Sequence, residues 1–339
     1  GVSEFGARLH SVISALLVAL ILFRMGGELI NYRTGFWAGV SWLACLQVWM
    51  HGRLALADMP MILGLCLAQW ATWRLLRYRE EPLSRWGRWF WVLWLGLTLA
   101  FYAKGPVGPL VWLLGLLLYR WVFGRRVLAW RRLQPASGLL LFLGLLAVWG
   151  IPALVVTNGL FWDEGMERHV IDRGLEAFND RLTLPVVYYL VTVFLSLFPW
   201  IGRLGTGWHR TREHWSPERA FLVSWGVAPF LIFAFYATQL PHYTLPGFPA
   251  LLLLLMQNGL PGRREAFAEW SRAARGIFLG YHLVWGLLLA GLAAGVLVGG
   301  FPEGTGPLGR SLLAIVILLA GYQLMALARE FHWPPGLLA

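Results

Sequence analysis

Long apolar runs separated by short basic segments constrain the fold of this 339-residue chain more than any other feature. Eleven such runs are visible, at roughly residues 11–23, 36–50, 58–73, 89–103, 106–123, 138–157, 184–202, 220–237, 243–259, 276–299 and 311–327. About 20 apolar residues cross a bilayer as an α-helix. We therefore expect an all-α, polytopic integral membrane protein with about 11 transmembrane helices, forming a single transmembrane domain over residues 1–339.

The composition excludes several other classes of protein. Hydrophobic residues make up 58% of the chain and charged residues only 13%. A water-soluble fold of this length could not bury so much apolar surface, so a soluble enzyme is excluded. The only two cysteines, Cys45 and Cys66, lie in apolar stretches, which excludes a disulfide framework.

The cations alternate strongly between successive segments. Of the 28 Lys and Arg residues, 21 lie in alternate segments that the positive-inside rule assigns to the cytoplasm. The net charge of +11 is thus explained by loop anchoring, and no nucleic-acid partner is expected. The segments predicted to face outward are 1–10, 51–58, 104–105, 158–183, 238–242 and 300–310.

Segment 158–183 is the only long segment on the predicted outer side. It is rich in acidic residues: Asp163, Glu164, Glu167, Asp172, Glu176 and Asp180. Long structured loops in compact domains are often functional, so we treat it as a distinct outer loop within the transmembrane domain.

The outer segment 51–58 leads into an apolar run and contains Arg53 and Asp58, followed by Pro60. Proline fits the first turn of a helix, and a carboxylate there suits the helix dipole. Asp58 therefore fits two interpretations equally well, a helix cap or a site residue. His51 is a weaker candidate because of its proximity in sequence.

Lys104 is the only lysine in the chain and lies in a tight turn, Tyr102-Ala103-Lys104-Gly105-Pro106. A lysine at this depth can simply extend its ammonium group to the membrane surface. Every other cation is an arginine, however, and the adjacent glycine allows close approach of a ligand. This favours a site.

His169 and Arg173 are four residues apart in the long outer loop and share a face if that stretch is helical. Histidine is a metal ligand or an acid–base group, and arginine binds oxyanions and phosphates. From spacing alone, a solvated amphipathic helix with internal ion pairs is the more economical interpretation.

His242 and Tyr243 lie in the short outer segment Gln239-Leu240-Pro241-His242-Tyr243-Thr244-Leu245-Pro246, where prolines restrict the backbone. We expect both side chains at the outer rim. An interfacial tyrosine is common in membrane proteins, so this segment alone does not define a site.

Motifs for other chemistries are missing from the sequence. It has no P-loop, no HExxH, no CxxC and no GxSxG, so nucleotide binding and several hydrolase classes have no support. Ionisable residues within the predicted spans are few, His282 among them, which disfavours an ion-coupled transporter.

Four segments, in order along the chain, resemble motifs of bacterial lipid-carrier-dependent glycosyltransferases. These enzymes form the protein-mannosyltransferase and aminoarabinose-transferase superfamily, with the GT-C fold. Residues 53–60 resemble its R-x-x-x-x-D-M-P segment, residues 102–106 its TKGP turn, Phe161-Trp162 with His169 and Arg173 its outer loop, and residues 239–246 its K-L-P-x-Y-x-L-P segment. The resemblance covers about residues 1–260.

The resemblance implies an inverting transfer of a sugar from a polyprenyl-phosphate donor to a glycan, lipid or protein acceptor. The reaction would take place at the extracytoplasmic face of a bacterial inner membrane. Lys104, Arg173 and Tyr243 are then expected to bind the donor phosphate, Asp58 to act in catalysis, and His169 to bind a divalent metal ion. Arg53, His51 and His242 are weaker site candidates.

Two differences from the family pattern stand out. Members of the family have a first span and an outer loop with an Asp-Glu pair, and we expect this chain to begin after both. Gln239 also stands where the family has a lysine. Two other functions remain open, a transporter or flippase of lipid-linked glycans and a structural membrane subunit.

Overall fold

A computed structural model describes residues 3–77, 86–124, 129–175 and 185–257, with scattered residues between 276 and 321. The described part is helical. Its α-helices are α1 (Glu4–Leu29), α2 (Tyr32–Leu43), α3 (Leu46–His51), α4 (Asp58–Arg77), α5 (Arg88–Lys104), α6 (Val107–Phe123), α7 (Trp130–Leu133), α8 (Pro135–Val156), α9 (Leu160–Trp162), α10 (Arg173–Leu175), α11 (Pro185–Ser196), α12 (Leu204–Glu213), α13 (Pro217–Ala234) and α14 (Phe248–Leu255). A π-helix covers Asp163–Asp172, and 3₁₀-helices cover Ile201–Arg203 and Pro241–Gly247.

The first nine apolar runs correspond to helices, which confirms the predicted all-α class. The last two runs lie mostly outside the described residues. Two helical stretches in the described part are long and apolar enough to cross a membrane, Glu4–Leu29 and Trp130–Val156, and a third is reached if one broken pair counts as a single span. The number of about 11 transmembrane helices therefore stays a prediction.

The chain forms two compact units. The first comprises residues 1–200 and 211–259, and the second comprises residues 201–210 and 260–339. Every site residue predicted from the sequence lies in the first unit.

The run at residues 36–50 is interrupted, because α2 ends at Leu43 and α3 begins at Leu46. The backbone N–H of Leu46 donates to the carbonyl of Phe198 at 3.0 Å, just beyond α11. The thiol of Cys45 donates to the carbonyl of Ser196, also at 3.0 Å. Because the helix is interrupted here, Leu46 N–H and the Cys45 thiol donate to carbonyls at the end of α11. These two hydrogen bonds hold α3 beside α11.

Helices α4 and α5 approach each other very closely. A Cβ atom added to Gly64 would lie 2.5 Å from the carbonyl oxygen of Gly96, and one added to Gly96 would lie 2.8 Å from that of Gly64. Small residues at a helix interface allow this contact between backbones. The two helices run in opposite directions, so the first residue of α4 lies near the last residue of α5.

The 3₁₀-helix Pro241–Gly247 is fastened to α13 in a similar way. The indole Nε1 of the buried Trp225 donates to the carbonyl of Pro246 at 3.0 Å. A Cβ atom at Gly247 would lie 2.5 Å from the carbonyl oxygen of Gly226. These contacts fix the segment that contains His242 and Tyr243.

We predict that Gly64→Leu destabilises the protein by about 1–3 kcal/mol or more, because the new side chain would collide with backbone rather than with a flexible side chain. Thermal unfolding of the purified full-length protein in detergent measures the effect. Gly144→Leu is the matched control, since a Cβ atom at Gly144 has open space around it. Equal unfolding midpoints for the two variants would contradict the prediction.

Candidate functional site

Asp58 and Lys104 form an ion pair where α4 begins and α5 ends. The Nζ atom of Lys104 lies 2.5 Å from Oδ1 of Asp58. The Asp58 side chain is 6% exposed and that of Lys104 is 29% exposed. The described hydrogen bond of Asp58 thus goes to a residue 46 positions away, which favours the site interpretation over a simple helix cap.

Two histidines complete a cluster around this carboxylate. His51, Asp58 and His242 each offer a ligand atom, and these atoms lie within 4.8 Å of one another. The two imidazole rings have centroids 5.0 Å apart. His51 and His242, which were weak candidates from the sequence, therefore lie beside Asp58 and Lys104.

Burial keeps both imidazoles neutral. The pKa of His51 is lowered below 6.5 and that of His242 to about 4, and the main cause in both is loss of solvent. The Lys104 ammonium contributes to both decreases, while the Asp58 carboxylate opposes them. Because both imidazoles are neutral, the cluster is not a polycationic patch. Neutral imidazoles can bind a metal ion or form hydrogen bonds.

Gln47 holds His51 in place from one turn earlier in α3. The amide oxygen of Gln47 accepts a hydrogen bond from Ser196 Oγ at 3.0 Å, which orients the amide nitrogen towards His51. The backbone carbonyl of Gln47 lies 3.1 Å from His51 Nδ1. The spacing of Gln47 and His51 is visible in the sequence, but the contact with Ser196 depends on the fold.

Tyr243 is a buried neighbour of the cluster, with its ring centroid 5.2 Å from that of His242. Its ring stacks on Phe233 with centroids 4.4 Å apart. Val107, two residues after Gly105, packs against the same aromatic group. Packing against α11, α13 and the start of α6 covers the side chain, and its expected position at the outer rim stays a prediction.

The long outer loop reaches this region through its backbone. The stretch around His169 and Arg173 is helical and consists of the π-helix and α10. The carbonyl of Gly174 accepts a hydrogen bond from the N–H of Ala237 at 3.0 Å. The side chains of His169 and Arg173 lie outside the described atoms, so their expected roles stay predictions.

Tyr236 links that loop to the site. A Cβ atom at Gly174 would lie 2.9 Å from the Tyr236 ring, so a larger residue would collide there. The Tyr236 ring in turn contacts the Tyr243 ring edge-on, with centroids 5.9 Å apart. The outer loop and the segment with His242 and Tyr243 therefore meet, although they are distant in sequence.

Other candidates are placed differently. Arg53 is exposed, and its guanidinium lies 3.3 Å from the ring centroid of Trp49. Arg168 pairs with Glu164 at 2.6 Å on an exposed surface, as the ion-pair interpretation of that loop predicts. Both amide atoms of Gln239 are buried and have no hydrogen-bond partner within the described part of the chain.

Sequence reasoning missed Gln47, Ser196, Tyr189 and Tyr236. The i, i+4 spacing of Gln47 and His51 is a signal that could have identified the first. Ser196 contributes the hydrogen bond to Gln47, whereas Tyr189 and Tyr236 pack around Tyr243. All three lie in apolar runs, where the sequence carries no specific signal.

The comparisons with known proteins agree with the resemblance. Residues 1–151 match the model of the family described as dolichyl-phosphate-mannose-protein mannosyltransferase. Among curated relatives, the undecaprenyl phosphate-alpha-4-amino-4-deoxy-L-arabinose arabinosyl transferase of Pectobacterium atrosepticum is 29% identical over 315 residues, covering 88% of this chain and 53% of the relative. A relative of the same kind from Proteus mirabilis is 28% identical over 87% of this chain and 53% of the relative.

Solved structures show the same fold. The crystal structure of ArnT from Cupriavidus metallidurans bound to undecaprenyl phosphate superposes with a TM-score of 0.74 at 22% identity, covering 97% of this chain and 58% of that chain. The apo structure of the same protein gives a TM-score of 0.70 over 97% of this chain and 57% of that chain. The predicted resemblance to the lipid-carrier-dependent glycosyltransferases is confirmed, and the chain spans about half the length of the curated relatives it matches.

The depressed pKa of His242 predicts a stability loss in mild acid. The unfolded chain binds a proton at His242 near pH 6.5, whereas the folded chain does so only near pH 4. Stability is therefore complete above about pH 6.5 and falls as the pH drops towards 4. Unfolding midpoints of the wild type and His242→Gln, measured across this range, should converge at low pH.

His10→Gln is the control for this titration, because His10 lies outside the cluster and bonds the carbonyl of Leu56. It should retain the acid dependence of the wild type. An equally steep loss of stability in His242→Gln would contradict the assignment.

Proposed function

We propose that this protein is a glycosyltransferase that moves a sugar, with inversion, from a polyprenyl-phosphate donor to an acceptor at the extracytoplasmic face of a bacterial inner membrane. The observation that carries the proposal is the half-buried Lys104–Asp58 pair, at the junction of the outer segments, in a chain with the fold of ArnT. Residues 1–339 are proposed to contain about 11 transmembrane helices.

The chemistry of the departing group explains the choice of cations. As the bond from the sugar C1 to the phosphate oxygen breaks, negative charge grows on the phosphate. Fixed positive charge in a water-poor site stabilises that charge. We assign this role to Lys104 and Arg173, with the Tyr243 hydroxyl as an additional donor.

The ion pair with Asp58 is compatible with phosphate binding by Lys104. Without a phosphate, Asp58 neutralises the ammonium and limits the cost of burying it. A bound phosphate offers Lys104 a second anionic partner, which frees Asp58 to contact the sugar or the acceptor. We therefore assign Asp58 as the catalytic-site carboxylate that this chain contributes.

The relatives suggest the class of the partners. Their names specify an undecaprenyl-phosphate-linked aminoarabinose donor. For this chain we propose a polyprenyl-phosphate-linked sugar as donor and a glycan, lipid or protein as acceptor. His169 is proposed as a ligand for a divalent metal ion, as the resemblance implies.

Gln239 bears on the specificity for the donor. Its amide is buried and has no partner among the described residues, so it is available to a ligand. An amide in place of the family's lysine donates and accepts hydrogen bonds without adding charge. This suits contact with sugar hydroxyls better than contact with a phosphate.

We predict that Lys104→Ala and Arg173→Ala each abolish sugar transfer by the full-length protein while its amount in the membrane stays unchanged. Loss of fixed charge at the leaving group should cost at least about 100-fold in turnover. Transfer from radiolabelled polyprenyl-phosphate sugars to membrane acceptors measures this.

Arg168→Ala is the matched control, because it removes an exposed guanidinium from the same loop. It should transfer sugar at nearly the wild-type rate. Unchanged turnover in both Lys104→Ala and Arg173→Ala would exclude the proposed roles. Accumulation of intact lipid-linked sugar in sealed vesicles without transfer would favour the flippase alternative.

A further inference from the structure

His51, Asp58 and His242 share features that the proposed transfer chemistry does not use. They come from three separate segments: the end of α3, the start of α4 and the 3₁₀-helix Pro241–Gly247. Their ligand atoms nevertheless lie within 4.8 Å of one another. Two imidazoles and one carboxylate form the ligand set of open zinc sites, in which three protein ligands leave a fourth position for another molecule.

The hydrogen bonds of His51 determine which ring nitrogen is available. Nδ1 lies 3.1 Å from the backbone carbonyl of Gln47, to which its N–H donates. The amide nitrogen of Gln47 is 3.1 Å from Nδ1 and 3.5 Å from Nε2. We assign the ring proton to Nδ1, because the carbonyl oxygen can only accept a hydrogen bond. Nε2 then keeps its lone pair.

This arrangement is the one that metal-binding histidines use. A ligating histidine donates its other ring N–H to a carbonyl or carboxylate, which fixes the tautomer and the orientation of the ring. The Gln47 side chain is itself held by Ser196 Oγ at 3.0 Å. The support around His51 is therefore built by two helices, α3 and α11, before any ion arrives.

Asp58 keeps one oxygen for a further ligand. Its Oδ1 accepts the hydrogen bond from Lys104 at 2.5 Å, and Oδ2 has no such bond among the described contacts. A carboxylate ligand that is also hydrogen-bonded through its other oxygen is usual in metal sites. The Lys104–Asp58 pair and an ion on Oδ2 are thus compatible.

We propose that His51, Asp58 and His242 bind a divalent ion of the zinc class. Imidazole nitrogens favour zinc and similar transition ions over magnesium or calcium, which take oxygen ligands. The site is distinct from the metal expected at His169. Its existence does not rest on the proposed function, although a donor phosphate oxygen would be a suitable fourth ligand if that function holds.

Zinc titration of the full-length protein, purified in detergent without a polyhistidine tag and stripped with a chelator, tests the proposal. The wild type should bind zinc, and His51→Ala, Asp58→Asn and His242→Ala should each weaken binding at least about tenfold. His214→Ala is the matched control, since it removes an exposed histidine outside the cluster and should stay within about twofold of the wild type.

Visible absorption of Co²⁺ bound to the wild type is a second test of the proposal. Co²⁺ bound to the wild type should give the visible absorption of a four-coordinate ion with nitrogen and oxygen ligands, and zinc should remove it. Failure of the wild type to bind zinc or Co²⁺ would overturn the proposal. So would zinc binding that His169→Ala abolishes while His51→Ala and His242→Ala leave it unchanged. Because no sugar donor is present, these outcomes are independent of the transfer assay.

Discussion

The close approach of α4 and α5 is the constraint on which the site depends. Gly64 and Gly96 allow the two backbones to touch, and any side chain there would push the helices apart. Since the helices are antiparallel, their contact brings the first residue of α4 to the last residue of α5. The Lys104–Asp58 pair is a direct consequence, and the ligand positions around it follow from the same geometry.

Positive and negative charges balance where α4 begins and α5 ends. One carboxylate neutralises one ammonium, and burial keeps His51 and His242 uncharged. The Lys104 side chain is 29% exposed, so water still reaches the ammonium and the ion pair contributes little net stability. Such a pair is suited to exchange partners with an incoming anion. A divalent ion can bind Oδ2 of Asp58 while Oδ1 stays paired with Lys104. The proposed phosphate and metal sites would therefore be adjacent.

Aromatic packing connects this junction to the rest of the predicted outer surface. Tyr243 stacks on Phe233, Tyr236 contacts Tyr243, and the outer loop meets Tyr236 at Gly174. Val107 brings the turn after Lys104 into the same group. The proposed phosphate ligands thus come from segments held by one apolar cluster, which orders them without a covalent cross-link.

The sequence by itself determined the helical class, the approximate positions of the long helices and the segments proposed to carry the chemistry. Apolar runs, prolines and the single lysine are local signals, and they made Asp58, Lys104 and Tyr243 site candidates. It could not assign His51 and His242 to one cluster, because their meeting requires three segments far apart in the chain. Nor could it show that packing from other helices buries Tyr243. Which polar groups face one another was decided by the tertiary structure, because contacts between helices depend on backbone approach at glycines and on aromatic packing, and neither leaves a periodic pattern in the sequence.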